Sequence, residues 1–174
     1  MRYPQGTPTQ PEIIAVAISK LELKPGDVFA DIGCGSGSVS ISAAGLVRQV
    51  YAIDNRDEAI SATEENIKEH GIRNIRALKG EASALLSELD VDCAFVGGSK
   101  NIETVLDLIM RKTRRFVVSA VRLETAASAI KIMKQNERFI ELIHIQISRG
   151  HDLAGGTMLR PENPVFLIVG GKQC

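Results

Sequence analysis

Val28-Phe-Ala-Asp-Ile32 reads as a short apolar strand, and Ser38 to Val47 reads as a helix. Between them Gly33, Gly35 and Gly37 fall at every second position, two residues behind Asp31. A strand that passes through a glycine turn straight into a helix is the opening of a βαβ unit. Glycine tolerates the positive φ such a turn needs, and lets a ligand approach the backbone. The amide groups at the helix start then favour negative groups.

The same alternation continues along the chain. Gln49 to Ile53 is a second strand ending at Asp54, and Asp57 to His70 is a charged helix with Gly71 at its C′ position. Ile75 to Leu78 is a third strand, followed by Gly80-Glu81-Ala82 and a short helix. Asp92 to Val96 is a fourth, followed by Gly97-Gly98-Ser99 and a helix from Ile102 to Lys112. Arg115 to Val121 is a fifth, followed by a helix from Leu123 to Asn136. Glu141 to Ser148 then alternates, with Leu142, His144, Gln146 and Ser148 on one face and Ile143, Ile145 and Ile147 on the other. Arg149 to Asn163 reads as a long loop, and Pro164 to Val169 as the last strand. Two strands with no helix between them predict an antiparallel pair. Upstream, Thr9-Gln-Pro-Glu12 predicts a capping box with Thr9 as N-cap. The expected fold is α/β: a doubly wound, seven-stranded, mostly parallel sheet with an antiparallel terminal hairpin, one domain over residues 1–174.

Composition narrows the function. The 21 Lys plus Arg balance the 21 Asp plus Glu, and aromatic residues are 4% with no tryptophan. Neither a basic field nor a stacking platform for nucleic acid is present, so no nucleic-acid partner is expected. No apolar run reaches membrane-spanning length and no signal-peptide pattern opens the sequence. Cys34, Cys93 and Cys174 are odd in number and widely spaced, matching neither a disulfide framework nor a zinc site. A cytoplasmic protein without a metal centre is the expectation.

Sheets of this kind bind ligands beyond the carboxyl ends of their strands. The turn is not the dinucleotide fingerprint G-x-G-x-x-G, because Ser38 stands at the third-glycine position. Asp54, about twenty residues on, can accept bonds from both hydroxyls of an adenosine ribose, which suits either cofactor class. The D-x-G-x-G-x-G run instead resembles the first motif of the class I, Rossmann-like methyltransferases that use S-adenosylmethionine (SAM). In that family the turn lies against the methionine part of SAM. Gly80-Glu81-Ala82 matches the place where the family packs adenine, with Glu81 where an Asp is common. Thr9 fits two compatible roles, as a helix cap and as a contact of the cofactor's carboxylate.

Further runs carry a closer resemblance. They are Gly6-Thr-Pro-Thr9, DIGCGSGSVS, VYAIDNRDEAIS (50–61), FVGGS (95–99), AVRLET (120–125), SRGHDLAGGTM (148–158) and NPVFLI (163–168). Together they resemble the decarboxylating precorrin or cobalt-precorrin C15-methyltransferases of cobalamin biosynthesis. The same unit forms the C-terminal half of the bifunctional precorrin C5,C15-methyltransferase. The resemblance implies that SAM is the methyl donor and that one methyl goes to C15 of a corrinoid macrocycle while the C12 acetate loses carbon dioxide. It implies a homotetramer. It places the cofactor on Thr9, Asp31, Gly33, Cys34, Gly35, Ser36, Gly37, Asp54, Glu81 and Ala82.

An acceptor edged with carboxylates calls for cations at the rim of the site. Lys100, Arg122, Arg149, His151 and Arg160 are candidates, and Arg122 and Arg149 are favoured because each follows a predicted strand. His144 reads as a structural residue of an alternating strand. The Gly155-Gly156-Thr157-Met158 stretch, inside the long loop, is expected to cover the macrocycle. Two other readings fit the residues: a methyltransferase of RNA or a small molecule, and a non-catalytic SAM-binding subunit. A nicotinamide dehydrogenase ranks last, because of Ser38.

Overall fold

The computed structural model describes residues 1–4, 8–98 and 100–172. Gly6, Thr7, Ser99 and Cys174, which enter the motifs and cysteine count above, lie outside the described residues. Five parallel strands form most of one sheet: β1 (Val28–Ile32), β2 (Gln49–Asp54), β3 (Ile75–Lys79), β4 (Cys93–Val96) and β5 (Arg115–Ala120). The helices are α1 (Pro11–Leu21), α2 (Ser38–Ala44), α3 (Asp57–Glu69), α4 (Ala82–Glu88), α5 (Ile102–Lys112) and α6 (Leu123–Gln135). The chain ends through β6 (Phe139–Ile145), β7 (Ser148–Leu153), β8 (Gly156–Pro161) and β9 (Val165–Gly171).

The sheet order is β3-β2-β1-β4-β5-β9-β6, with β9 antiparallel to both neighbours. The expected seven-stranded sheet and its antiparallel terminal pair are therefore present. Strand order reverses between β1 and β4, which opens a crevice at their carboxyl ends.

Alternation along the strands feeds two cores. Val28, Ala30, Ile32, Val96, Phe116 and Val118 pack with Leu106 and Ile109 of α5 and with Met133 of α6. Phe29, Phe95 and Val117 pack on the other face with Ile13, Ala17 and Leu21 of α1 and with Val39 and Ala43 of α2. Burial on both faces explains why the parallel strands read as near-continuous apolar runs.

Three expectations need correction. Arg149 to Asn163 is not a loop: β7 and β8 form a separate antiparallel ribbon, turning through Ala154 and Gly155 at φ 50° and 82°. Successive left-handed residues are what a tight hairpin turn demands. Thr9 is not the N-cap of α1: Gln10 is, with φ −69° and ψ 149° and no side-chain bond. The residue before a proline is driven out of the helical region, so Pro11 fixes the start one residue later than a capping box requires. Finally, α2 stops at Ala44, short of the expected Val47, because Gly45 caps it.

Candidate active site

The glycine turn is held from three sides. Gly33, Gly35 and Gly37 all take positive φ, at 77°, 59° and 76°. The amides of Gly33 and Cys34 donate to the Ile53 carbonyl of β2 at 2.8 and 3.0 Å. From α3, the Thr63 hydroxyl donates to the Gly35 carbonyl at 3.1 Å, and Asn66 Nδ2 donates to the Ser36 carbonyl at 2.9 Å. Gly37 is the left-handed cap of α2, and a Cβ there would meet Thr63 Cγ2 at 2.9 Å.

Asp31 lies fully buried under this turn. Its Oδ2 accepts from the Ser40 amide at 3.0 Å and the Ser40 hydroxyl at 2.6 Å, while its buried Oδ1 has no hydrogen-bond partner among the described residues. Burial pushes the carboxyl up to about 6; the two Ser40 bonds oppose that, and the charge of Asp54 adds to it. A buried acceptor left unmet costs roughly 1–3 kcal/mol, so this oxygen is poised for a donor.

Asp54 ends β2 and is almost wholly buried. Its Oδ1 accepts from the backbone amide and Nε of Arg56, each at 3.1 Å. Its Oδ2 accepts from the Gly35 amide and Arg56 Nη2, also at 3.1 Å. Burial alone would raise its carboxyl, but the Arg56 guanidinium and the two amides outweigh it and hold the group below its usual range.

Three cavities meet here. The first, about 140 Å³, lies over the turn and includes Tyr3, Thr9, Asp31, Gly33 and Ser36. The second, about 280 Å³, runs along Ile32, Asp54, Gly80, Glu81, Ala82 and Lys100. The third, about 650 Å³, is a cleft bounded by Thr9, Ile13, Ser119, Arg122, Glu162 and Val165. Arg56 and Gly97 line all three.

The predicted residues sort accordingly. Thr9 opens onto the first cavity and the cleft. Cys34 and Ser36 belong to the first; the Cys34 thiol is driven up by burial and lies 3.5 Å from Thr63 Oγ1. Glu81 is the N-cap of α4 and accepts from Asn101 Nδ2 at 3.2 Å, and Ala82 begins that helix in the second cavity. Arg122, the N-cap of α6, faces the cleft. Arg149 does not line these cavities and does not follow β7 but lies within it. Its guanidinium takes both carboxylate oxygens of Glu12 at 3.0 Å and lies 3.7 Å from Glu162. Arg160 stands directly opposite it on β8. His144 stacks on Phe166 with ring centroids 5.0 Å apart, the structural role expected of it.

Arg56 was absent from the candidate cations. A signal existed, since it stands two residues beyond the end of β2 and so on the ligand side of the sheet. Its contact with Asp54, however, depends on side-chain geometry that spacing does not encode.

Among the described residues no helix is long and apolar enough to cross a membrane. A family model described as "Precorrin methyltransferase domain" matches residues 3–171. A probable cobalt-precorrin-6B C(15)-methyltransferase (decarboxylating) from Methanosarcina acetivorans is 55% identical, over 97% of this chain and 95% of that protein. The protein of the same description from Archaeoglobus fulgidus is 39% identical, over 94% of this chain and 97% of its own length. Among solved structures, the precorrin 8W decarboxylase of Methanobacterium thermoautotrophicum superposes with a TM-score of 0.91 at 37% identity, covering 98% of this chain and 94% of that one. The chain belongs to the precorrin methyltransferase domain family.

Proposed function

We propose that this protein transfers a methyl group from SAM to C15 of cobalt-precorrin-6B and releases the C12 acetate carboxyl as carbon dioxide, a step of cobalamin biosynthesis. The observation that carries the reading is the meeting of two cavities, lined by the residues expected to hold the cofactor, with a larger cleft at Gly97 and Arg56. The relatives with 55% and 39% identity carry this activity in their names.

The residues present fit SAM. Among the described residues Asp31 Oδ1 is unpartnered, which suits the ammonium of a methionine moiety, and none of their atoms outside the turn stands within 4 Å of where a Gly35 Cβ would be. Asp54 suits the ribose hydroxyls, and Glu81 with Ala82 suits the adenine edge. Thr9, Gly33, Cys34, Ser36 and Gly37 shape the remaining wall. When bound, SAM supplies an electrophilic methyl group. The protein's part is to orient the acceptor carbon toward it, and such positioning accounts for roughly 7–11 kcal/mol of a barrier. Gly97 and Gly98 add no side chain of their own at the junction, where Arg56 stands. Arg122 anchors an acceptor carboxylate, and the walls of Ile13, Val121 and Val165 exclude water from the macrocycle face.

The reading includes one domain over residues 1–174 and a reducing, cytoplasmic setting, supported by the buried free thiols Cys34 and Cys93. It also includes a homotetramer joined through the β7–β8 ribbon. That ribbon exposes Leu153, Met158 and Leu159, and an isolated two-stranded hairpin is marginal in water. In this reading Arg149, favoured at first for the acceptor, tethers the ribbon to α1.

The test is anaerobic mass spectrometry of cobalt-precorrin-6B incubated with the protein and SAM. A product with one methyl gained and one carbon dioxide lost is expected. Methylation without decarboxylation would remove half of the reading, and an unchanged macrocycle in the presence of bound SAM would remove all of it.

A further inference from the structure

Asp54 has no acceptor capacity left. An ionised carboxylate offers roughly four lone-pair sites. Two are taken by the backbone amides of Gly35 and Arg56, which the turn and the start of α3 hold in place. The other two are taken side-on by Arg56 Nε and Nη2. A ribose diol therefore reaches Asp54 by replacing the guanidinium, not by adding to it. The guanidinium has somewhere to go. Its side chain keeps 43% of its surface exposed, and Arg56 already lines the acceptor cleft with Arg122. Within the lining of that cleft these two arginines face a single acid, Glu162, which Arg149 approaches from the ribbon.

We propose that Arg56 exchanges partners. Without cofactor it occupies the ribose site on Asp54; with cofactor bound it turns into the cleft and binds a carboxylate of the acceptor. The inference rests on the reading above and adds a residue and an order of binding to it. Binding of either ligand is then linked to the other, because both act on one guanidinium, and such linkage is reciprocal. The cofactor prepares the cleft, so acceptor binding is tighter when the ribose site is filled.

The test uses S-adenosylhomocysteine, which cannot transfer a methyl, as the cofactor probe. Calorimetry on the wild-type protein and on Arg56→Gln and Arg56→Lys measures its affinity with no acceptor present. The Gln variant is expected to bind it several-fold more tightly, because the competitor for Asp54 is gone. Acceptor affinity is then measured with and without S-adenosylhomocysteine. In the wild type the cofactor is expected to tighten it by about 5-fold or more, within the usual range of such coupling. In the Gln variant the ratio falls close to one and the acceptor KM rises at least tenfold, with kcat changed much less. Arg56→Lys keeps a cation for the cleft but loses the two-pronged bond to Asp54, and so regains part of the acceptor affinity. Cofactor affinity that is unchanged or weaker in Arg56→Gln would overturn the exchange at Asp54. Acceptor affinity indifferent to cofactor in the wild type would overturn the coupling. The cofactor arm needs no macrocycle. A wild-type protein inert toward cobalt-precorrin-6B thus refutes the functional reading and the acceptor half of this proposal, while the exchange is judged separately.

Discussion

Gly33 and Gly98 touch backbone to backbone: a Cβ on Gly33 would lie 2.8 Å from the Gly98 nitrogen and 3.1 Å from its Cα. The turn after β1 and the turn after β4 are thus pressed together at the point where strand order reverses. No side chain fits at Gly33, and its φ of 77° would be strained for any L residue. Gly33→Ala is expected to cost roughly 2 kcal/mol or more, from strain plus displacement of the β4 turn. For a chain of this length that is about 4–8 °C in Tm, read by calorimetry. A variant as stable as the wild type, with cofactor affinity intact, would show that the two turns part without penalty.

Asp31 gives the pH dependence. Its carboxyl is pushed up to about 6, and an ammonium at Oδ1 requires the ionised form. SAM affinity is expected to be flat above about pH 6 and to weaken by up to tenfold per unit below it, because binding there must release a proton. Asp31→Asn should bind more weakly and with no such break. The stability of the ligand-free fold runs the other way. The unfolded chain loses this proton near 3.8 and the folded one near 6, so this group's contribution falls as pH rises between those values.

Arg122→Ala should raise the acceptor KM by an order of magnitude and leave cofactor affinity within about twofold. Loss of one charge-assisted bond to a carboxylate is worth roughly 1.5–3 kcal/mol. Steady-state kinetics and calorimetry separate the two quantities. A fall in cofactor affinity instead would move Arg122 out of the acceptor cleft.

Asp54→Ala should weaken cofactor binding by about 2 kcal/mol, from loss of charge-assisted bonds to the ribose. Unchanged calorimetric affinity would remove the ribose role, and with it the competition proposed for Arg56.

The ribbon predicts assembly. Met158→Glu with Leu159→Glu places charges on both of its faces, since Met158 pairs with His151 and Leu159 with Gly150. Light scattering should show a smaller species with its secondary structure retained. A tetramer that survives both substitutions would place the contact elsewhere.

How much of this was readable in advance follows from what burial writes into a sequence. β1, β2, β4 and β5 are buried on both faces, so their apolar runs announced them, and the glycine turn with Asp54 marked the crevice. The ribbon could not announce itself. β7 and β8 are exposed almost throughout, so no alternation of apolar and polar residues records their period. Thr9 and Glu12 had the spacing of a cap, but Pro11 set the helix start and Arg149 claimed the Glu12 carboxylate. Arg56 was missed because a lone arginine carries no pattern.

The place of β9 has a consequence for how the chain is made. Its Leu167, Ile168 and Val169 are wholly buried between β5 and β6, so the sheet is finished by the segment a ribosome delivers after all its other strands. Until then the outer edge of β5 offers unpaired amides and carbonyls to any neighbouring chain. A ribosome stalled before Val165 would release a polypeptide with a complete glycine turn and no closed sheet, prone to aggregate rather than able to work at reduced rate. The sheet is therefore nearly all-or-none with respect to β9: without that strand, β5 and β6 have no partner between them.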